Sequence, residues 1–178
     1  MTIQAKKKGD RIIEPQKQLV AVSHCVLNQN AVIHGWERAR GAFPFAVELL
    51  RSGIALIQLP CPEFIVLGGD RPPMTYEEYR DLPDYRHQCQ TMLQPIIQQI
   101  QAYQAEGYQY LGIIGIHESP NCSISGQRGV LMEEFFAECQ QAKIGTNYLE
   151  VPTSYSEEDQ GDFDEQLQRF LEKGLDNE

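Results

Sequence analysis

The chain predicts an α/β fold: a single domain of three layers around a mostly parallel, four-stranded sheet. Three observations carry that prediction. Short apolar runs alternate with stretches of helical periodicity, the pattern of strand–helix–strand units joined by right-handed crossovers. The run Ile54-Ala55-Leu56-Ile57-Gln58-Leu59 is almost continuously apolar, as expected for a parallel strand buried on both faces. No internal repeat or interdomain linker interrupts the 178 residues, a length that suits one domain with a sizeable core.

The elements follow in order. Residues 1–16 are polar and include Lys6-Lys7-Lys8 and Arg11; they are expected to form a flexible, solvated tail ahead of a domain spanning 17–178. Residues 18–24 give the first strand. Residues 41–52 read as a helix, with Pro44 in its first turn and Gly53 just past its end. Residues 54–59 are the second strand. Segment 62–84, with Gly68-Gly69, Pro72-Pro73 and Pro83, reads as a long, loop-rich stretch of the kind that carries function. Tyr85, Cys89, Leu93, Ile96, Ile100 and Tyr103 recur at helical spacing, so a helix is predicted over 85–106, kinked or split at Pro95. Residues 109–116 are the third strand, and Leu131, Phe135 and Cys139 mark one face of the next helix. A short fourth strand over 144–151 and a last helix over 163–173 complete the chain. The expected strand order is 2-1-3-4, a Rossmann-like arrangement of the flavodoxin-like kind, with its switch point between strands one and three.

Composition narrows the function classes. A formal net charge of −10 argues against wrapping a polyanion, because nucleic-acid affinity comes largely from phosphate neutralisation. No apolar stretch approaches the roughly 20 residues of a membrane span. The N-terminal residues lack the apolar core of a secretory signal, so a cytoplasmic location is expected, where thiols stay reduced. Five cysteines, an odd number, also fit a disulfide framework poorly. Metal binding or thiolate chemistry is the better default.

The cysteines sort into two groups. Cys89 and Cys139 are in register with apolar neighbours on helix faces and read as small buried hydrophobes. Cys25, Cys61 and Cys122 each follow an apolar strand-like run, and Cys61 and Cys122 sit in rigid settings, Pro60-Cys61-Pro62-Glu63 and Ser119-Pro120-Asn121-Cys122. Ligands of an open parallel sheet bind outside the carboxyl ends of its strands, so these three thiols propose one composite site. Three thiolates without a C-x-x-C pair do not make a structural zinc site, which wants four ligands. They would leave one iron of a [4Fe–4S] cluster without a protein ligand. Two other readings stand beside this one. One is a cysteine-nucleophile hydrolase, with Cys25 or Cys122 attacking and His24 or His117 as base. The other is an iron–sulfur or metal sensor without turnover.

The ordered set Ser23-His24-Cys25-Val26-Leu27, Cys61-Pro62-Glu63 with Leu67-Gly68-Gly69 and Arg71-Pro72-Pro73, and Ser119-Pro120-Asn121-Cys122 resembles the bacterial 2-thiouracil desulfurase family. The family's stretches are like S-x-C-L-L-G, C-P-E-x-x-G-G with P-R-P-P, and S-P-S-C-G. The likeness covers roughly residues 18–125. It implies that Cys25, Cys61 and Cys122 hold the irons of a [4Fe–4S] cluster whose fourth iron takes the substrate sulfur. It also implies removal of sulfur from a small thiolated molecule, such as a thiopyrimidine, as hydrogen sulfide. Three departures point to a subgroup with a different substrate. The family's R-Y-D-G is replaced by a segment running from Asn28 to Trp36, Ser123 stands where a glycine is usual, and the stretch between Cys61 and Cys122 is remodelled.

Hydrolysis of the thiocarbonyl is the expected reaction, with no net electron transfer. Glu63, two residues after Cys61, is the first candidate for acid–base work, with a helix cap as its bland alternative. Ser119 is the candidate hydrogen-bond donor to substrate, with a Ser-Pro turn as its alternative. Glu118, His24, His34 and His117 have weaker claims; His24 is expected to point away from Cys25 if the strand still alternates there. Asn28, Asn30 and Trp36 are candidates to line the pocket, though Trp36 reads better as core or interface. Arg71 either approaches an anionic group or lies on the surface.

Overall fold

Four parallel strands, β1 (Gln18–Val22), β2 (Ala55–Gln58), β3 (Gln109–Ile116) and β4 (Tyr148–Val151), pair in the order β2-β1-β3-β4 in a computed structural model that describes residues 14–176. Residues 1–13, most of the expected tail, lie outside that range. Seven helices accompany the strands among the described residues: α1 (His24–Leu27), α2 (Pro44–Arg51), α3 (Pro62–Leu67), α4 (Tyr76–Arg80), α5 (Tyr85–Ala105), α6 (Val130–Ala142) and α7 (Phe163–Leu175). The fold is mixed α/β with an all-parallel sheet, as the sequence predicts, and its strand order is the expected one.

The alternation of side chains along a strand divides the core in two. Leu19 and Ala21 of β1 face one side of the sheet, where they share a core with Leu93, Ile100, Leu131 and Phe135 of α5 and α6. Val20 and Val22 face the other side, with Phe45 and Leu49 of α2 and Leu167 and Phe170 of α7. Phe43, Phe45, Tyr155 and Phe163 form a ring cluster on this second side, with centroids 4.8–6.0 Å apart. Such ring pairs contribute about 0.5–1.5 kcal/mol each beyond their area burial. Here they fix the loop after β4 against the start of α2.

Four expectations change. β2 is an edge strand paired with β1 alone; Ile57 is its one fully buried residue and Ala55 is exposed, so its apolar run does not signal burial on both faces. Segment 62–84 holds α3 and α4 rather than a long loop. Pro62 at the first position of α3 favours the helix, and Thr75 and Glu78 close a reciprocal capping box on α4. Pro95 neither ends nor splits α5, which runs unbroken through 21 residues. The buried row Tyr85, Cys89, Leu93, Ile97 and Ile100 holds both halves against one core, which offsets the backbone hydrogen bond that proline removes. β4 starts at Tyr148 rather than at residue 144, because Lys143 takes the left-handed conformation and Ile144 N–H caps α6 on Cys139 O.

Candidate functional site

The three sequence-predicted thiols meet at the carboxyl edge of the sheet. Cys25 and Cys61 each stand three residues past a strand end, Val22 and Gln58, and those two residues are register partners. Cys122 stands six residues past Ile116. None is therefore the last residue of its strand. Cys25 lies in the first turn of α1 and Cys61 is the N-cap of α3. Their loops are tied together: Leu59 N–H donates to Val22 O at 2.8 Å, and Gln58 Nε2 donates to His24 O at 2.8 Å. His24 Nδ1 lies 3.0 Å from Leu59 O, so that nitrogen carries a proton and donates. Because β1 ends at Val22 and the chain turns into a helix, strand alternation does not separate His24 from Cys25; both line the same cavity.

Two close approaches hold the Cys122 loop. Ile116 N–H donates to Cys122 O at 3.0 Å, and Val130 and Met132 N–H donate to Pro120 O and Asn121 O. A Cβ on Gly115 would lie 2.6 Å from Cys122 O, and one on Gly129 would lie 2.3 Å from the Asn121 carbonyl carbon. Only glycine lets strand and helix pinch the loop from both sides. Within it, Ser119 Oγ accepts Cys122 N–H at 3.0 Å, the Ser-Pro turn that stands as the alternative to a substrate contact. That bond uses the oxygen and leaves the hydroxyl proton free to donate.

A cavity of about 560 Å³ opens at this edge, within the usual range for small-molecule sites. Cys25, Cys61, Cys122, Glu63 and Ser119 all line it, so all five predicted site residues come together. Glu63 is heavily committed. One oxygen accepts from Arg71 Nε at 3.0 Å and Tyr79 OH at 3.1 Å, the other from Asn121 Nδ2 at 3.0 Å. Tyr85 OH donates to Asn121 Oδ1 at 3.0 Å and extends the network into the core. Arg71 is not a surface arginine: it is 6% exposed and also donates to Gly68 O and Ala31 O. Trp36 is not core either; it is 61% exposed and borders the cavity. Asn28 and Asn30 are absent from the cavity lining, whereas the buried Gln29 between them belongs to it. His34 is exposed beside Glu37 and Asp70. His117 reaches the cavity with Nδ1 3.5 Å from Glu150. Glu150 in turn accepts Ile124 N–H and the hydroxyls of Ser123 and Ser125, which lowers its pKa despite burial.

Sequence reading missed Asn121, Tyr79, Glu150 and Arg38. Asn121 sits inside a quoted motif, and that was its only signal. The other three acquire their positions through long-range packing.

Burial pushes the Cys25 thiol up to about 12, and charge on Cys61 adds to this while Arg38 opposes it. Cys122 is raised well above the ordinary thiol range by burial, then by Cys25 and Cys61, and Cys61 is raised mainly by burial. The three sulfurs thus sit within electrostatic reach of one another, in a setting that disfavours thiolates until a cation compensates them. Ser23 Oγ is fully buried without a hydrogen-bond partner, and it is placed to donate a hydrogen bond to a thiolate at Cys122, which opposes the effect of burial there. No three His, Cys, Asp or Glu side chains among the described residues gather closely enough for one metal ion. A cluster makes a different demand, since each thiolate binds a different iron. Three soft donors from three loops, a stranded hydroxyl beside one of them and room for a ligand fit that group.

No family model matches the chain, and no solved structure matches it. It is 44% identical over 156 residues to the uncharacterized protein MJ0003 of Methanocaldococcus jannaschii, an alignment covering 87% of this chain and 97% of that protein. The chain belongs to the family of that archaeal protein. The kinship extends across nearly the whole of the archaeal chain, and so reaches beyond any single cysteine loop.

Proposed function

We propose that the chain is an iron–sulfur-dependent desulfidase that hydrolyses the C=S bond of a small, thiopyrimidine-like molecule in the cytoplasm. The observation that carries this reading is the convergence of Cys25, Cys61 and Cys122, from three separate loops, on one cavity. The resemblance to the 2-thiouracil desulfurase family supports it. A [4Fe–4S] cluster on these thiolates would supply an open iron, a Lewis acid for the thiocarbonyl sulfur. The reaction balances without redox change: thiocarbonyl and water give carbonyl and hydrogen sulfide.

The chain's own residues bind, orient and move protons. The Ser119 hydroxyl, fixed by Cys122 N–H, donates into the cavity. Glu63 holds Asn121 and Arg71 in place and is the carboxylate nearest in sequence to Cys61. His117, oriented by Glu150, can relay a proton between solvent and the cavity. A nucleophilic cysteine is less well supported, because it would use one of the three converging thiols and leave the other two without a role. The net charge of −10 disfavours nucleic acid as a partner, and no helix among the described residues is long and apolar enough to cross a membrane.

The test is sulfide release by anaerobically reconstituted protein from a panel of thiolated bases and nucleosides. Stoichiometric appearance of carbonyl product and sulfide, lost in Ser119→Ala and in each of the three cysteine variants, is the expected outcome. Iron-loaded protein that turns over nothing on the panel would refute catalysis and leave a binding role.

A further inference from the structure

We propose that the β2 edge of the sheet, with the helices on either side of it, is the interface of a homodimer in which β2 pairs antiparallel with the β2 of a second copy across a twofold axis. The proposal stands apart from the desulfidase reading.

An edge strand offers unpaired backbone groups to other strands, and chains guard such edges with charges, prolines, bulges or a covering element. Among the described residues, β2 pairs with β1 alone, in unbroken register, and its backbone bonds to no other segment. The run from Ile54 to Leu59 contains no charge and no proline, and Ala55 is exposed. The opposite edge differs: β4 holds a carboxylate, Glu150, and Pro152 follows its last residue.

Apolar side chains flank the β2 edge in both layers. Of the seven large apolar side chains exposed among the described residues, four are Val47 and Leu50 of α2 and Phe64 and Ile65 of α3, the helices directly before and after β2. α2 packs on one side of the sheet, and Val66 and Leu67 of α3 join the core on the other. Phe45 turns toward α7, its ring centroid 4.8 Å from that of Phe163, and α7 packs on β3 and β4. At about 100° per residue, Val47 and Leu50 fall on the opposite flank of α2, the side on which β2 ends the sheet.

Charge points to a second copy as the occupant. The chain carries a net charge of −10, yet the only charged side chains across residues 44–67 are Glu48, Arg51 and Glu63. Glu63 turns inward to Arg71, and Glu48 and Arg51 pair with each other at 2.6 Å. This face is therefore neutral and apolar on an acidic molecule, the place where two like-charged copies meet with least repulsion. With one acid and one base it is complementary to itself about a twofold axis, and pairing through a single edge closes the assembly at two. α3 opens on Cys61 and carries Glu63, so the interface bears on a helix that walls the cavity.

Sedimentation of the full chain at micromolar concentrations tests this. The expected mass is twice the 20.3 kDa of one chain. Ala55→Lys sets a charge on the strand, as guarded edges do, and Leu50→Glu sets one on α2; both positions are exposed, so the monomer should keep its fold. Each should weaken dimerisation roughly tenfold or more, about 1.4 kcal/mol. Leu175→Glu, exposed at the end of α7, adds the same charge elsewhere and should leave the dimer intact. Circular dichroism checks the fold of every variant. Amide exchange across residues 55–58 should be slow in the dimer and faster in Leu50→Glu; equal exchange would refute strand pairing. A monomer at every concentration would overturn the proposal. So would a dimer that survives both Ala55→Lys and Leu50→Glu, which would put the contact on another surface. A dimer weakened as much by Leu175→Glu would overturn it too, because net charge and not this face would then govern association.

Discussion

The five cysteines occupy two regions that differ in their company more than in their burial. Cys89 and Cys139 are fully buried between α5 and α6 among leucine, isoleucine and phenylalanine side chains. Cys25, Cys61 and Cys122 are partly buried at the sheet edge beside Glu63, Arg38, Ser23 and one another. Burial raises the thiol pKa in both regions, to about 12 for Cys25, Cys89 and Cys139 alike. A raised thiol pKa therefore does not mark a functional cysteine here. What separates Cys25, Cys61 and Cys122 from the other two is mutual proximity across three loops, together with polar neighbours whose hydrogen bonds fix the position of each loop.

That contrast can be broken at either end. The largest expected effect is at the polar end. Arg71→Ala leaves the Glu63 carboxylate without its cation and two backbone carbonyls without their donor, and loss of one partner of a buried pair costs about 3–5 kcal/mol. Urea unfolding should register it; a loss below about 1 kcal/mol, the worth of a surface pair, would mean that the network does not hold the site together. Gly129→Ala comes next, because its Cβ meets the Asn121 backbone at 2.3 Å. Overpacking of this kind costs about 1–3 kcal/mol, and iron loading should fall with it, since the strain lands on the loop that carries Cys122. Stability lost with full loading kept would uncouple the glycine from the site.

The smallest effect belongs to the apolar end. Cys89→Ala should cost about 1 kcal/mol and leave iron loading unchanged. It should also flatten the alkaline limb of the stability curve. The native state raises the Cys89 pKa from 9.0 to about 12, so the stability linked to its bound proton is complete below pH 9.0 and is lost as pH rises toward 12. Unfolding measured at both ends of that window, for the parent and the variant, gives the comparison.

The two regions were not equally legible in the sequence. The apolar one was read from spacing alone: the helical period placed Cys89 and Cys139 inward, and the strand runs and their order followed from the alternation of strands and helices. At the polar end the three cysteines could be picked out by the prolines and motifs around them, but their supports could not. The prolines and glycines of 62–84 masked α3 and α4, although Pro62 is well placed to start a helix and Thr75 with Glu78 spells a capping box. Burial of Arg71 depends on Glu63 and Ala31, which only the folded chain brings beside it. The near-continuous apolar run of β2 misled because an edge strand can keep apolar residues on its half-covered face.

The central claim is that three thiolates, and not five, hold an iron–sulfur cluster. Iron and acid-labile sulfide analysis of anaerobically reconstituted protein, with its absorption spectrum, tests it most directly. The account predicts about four irons and four sulfides per chain, as a [4Fe–4S] cube requires, lost in Cys25→Ser, Cys61→Ser and Cys122→Ser and retained in Cys89→Ala and Cys139→Ala. A colourless protein that takes up no iron, or loading that survives loss of any of the first three cysteines, would contradict it.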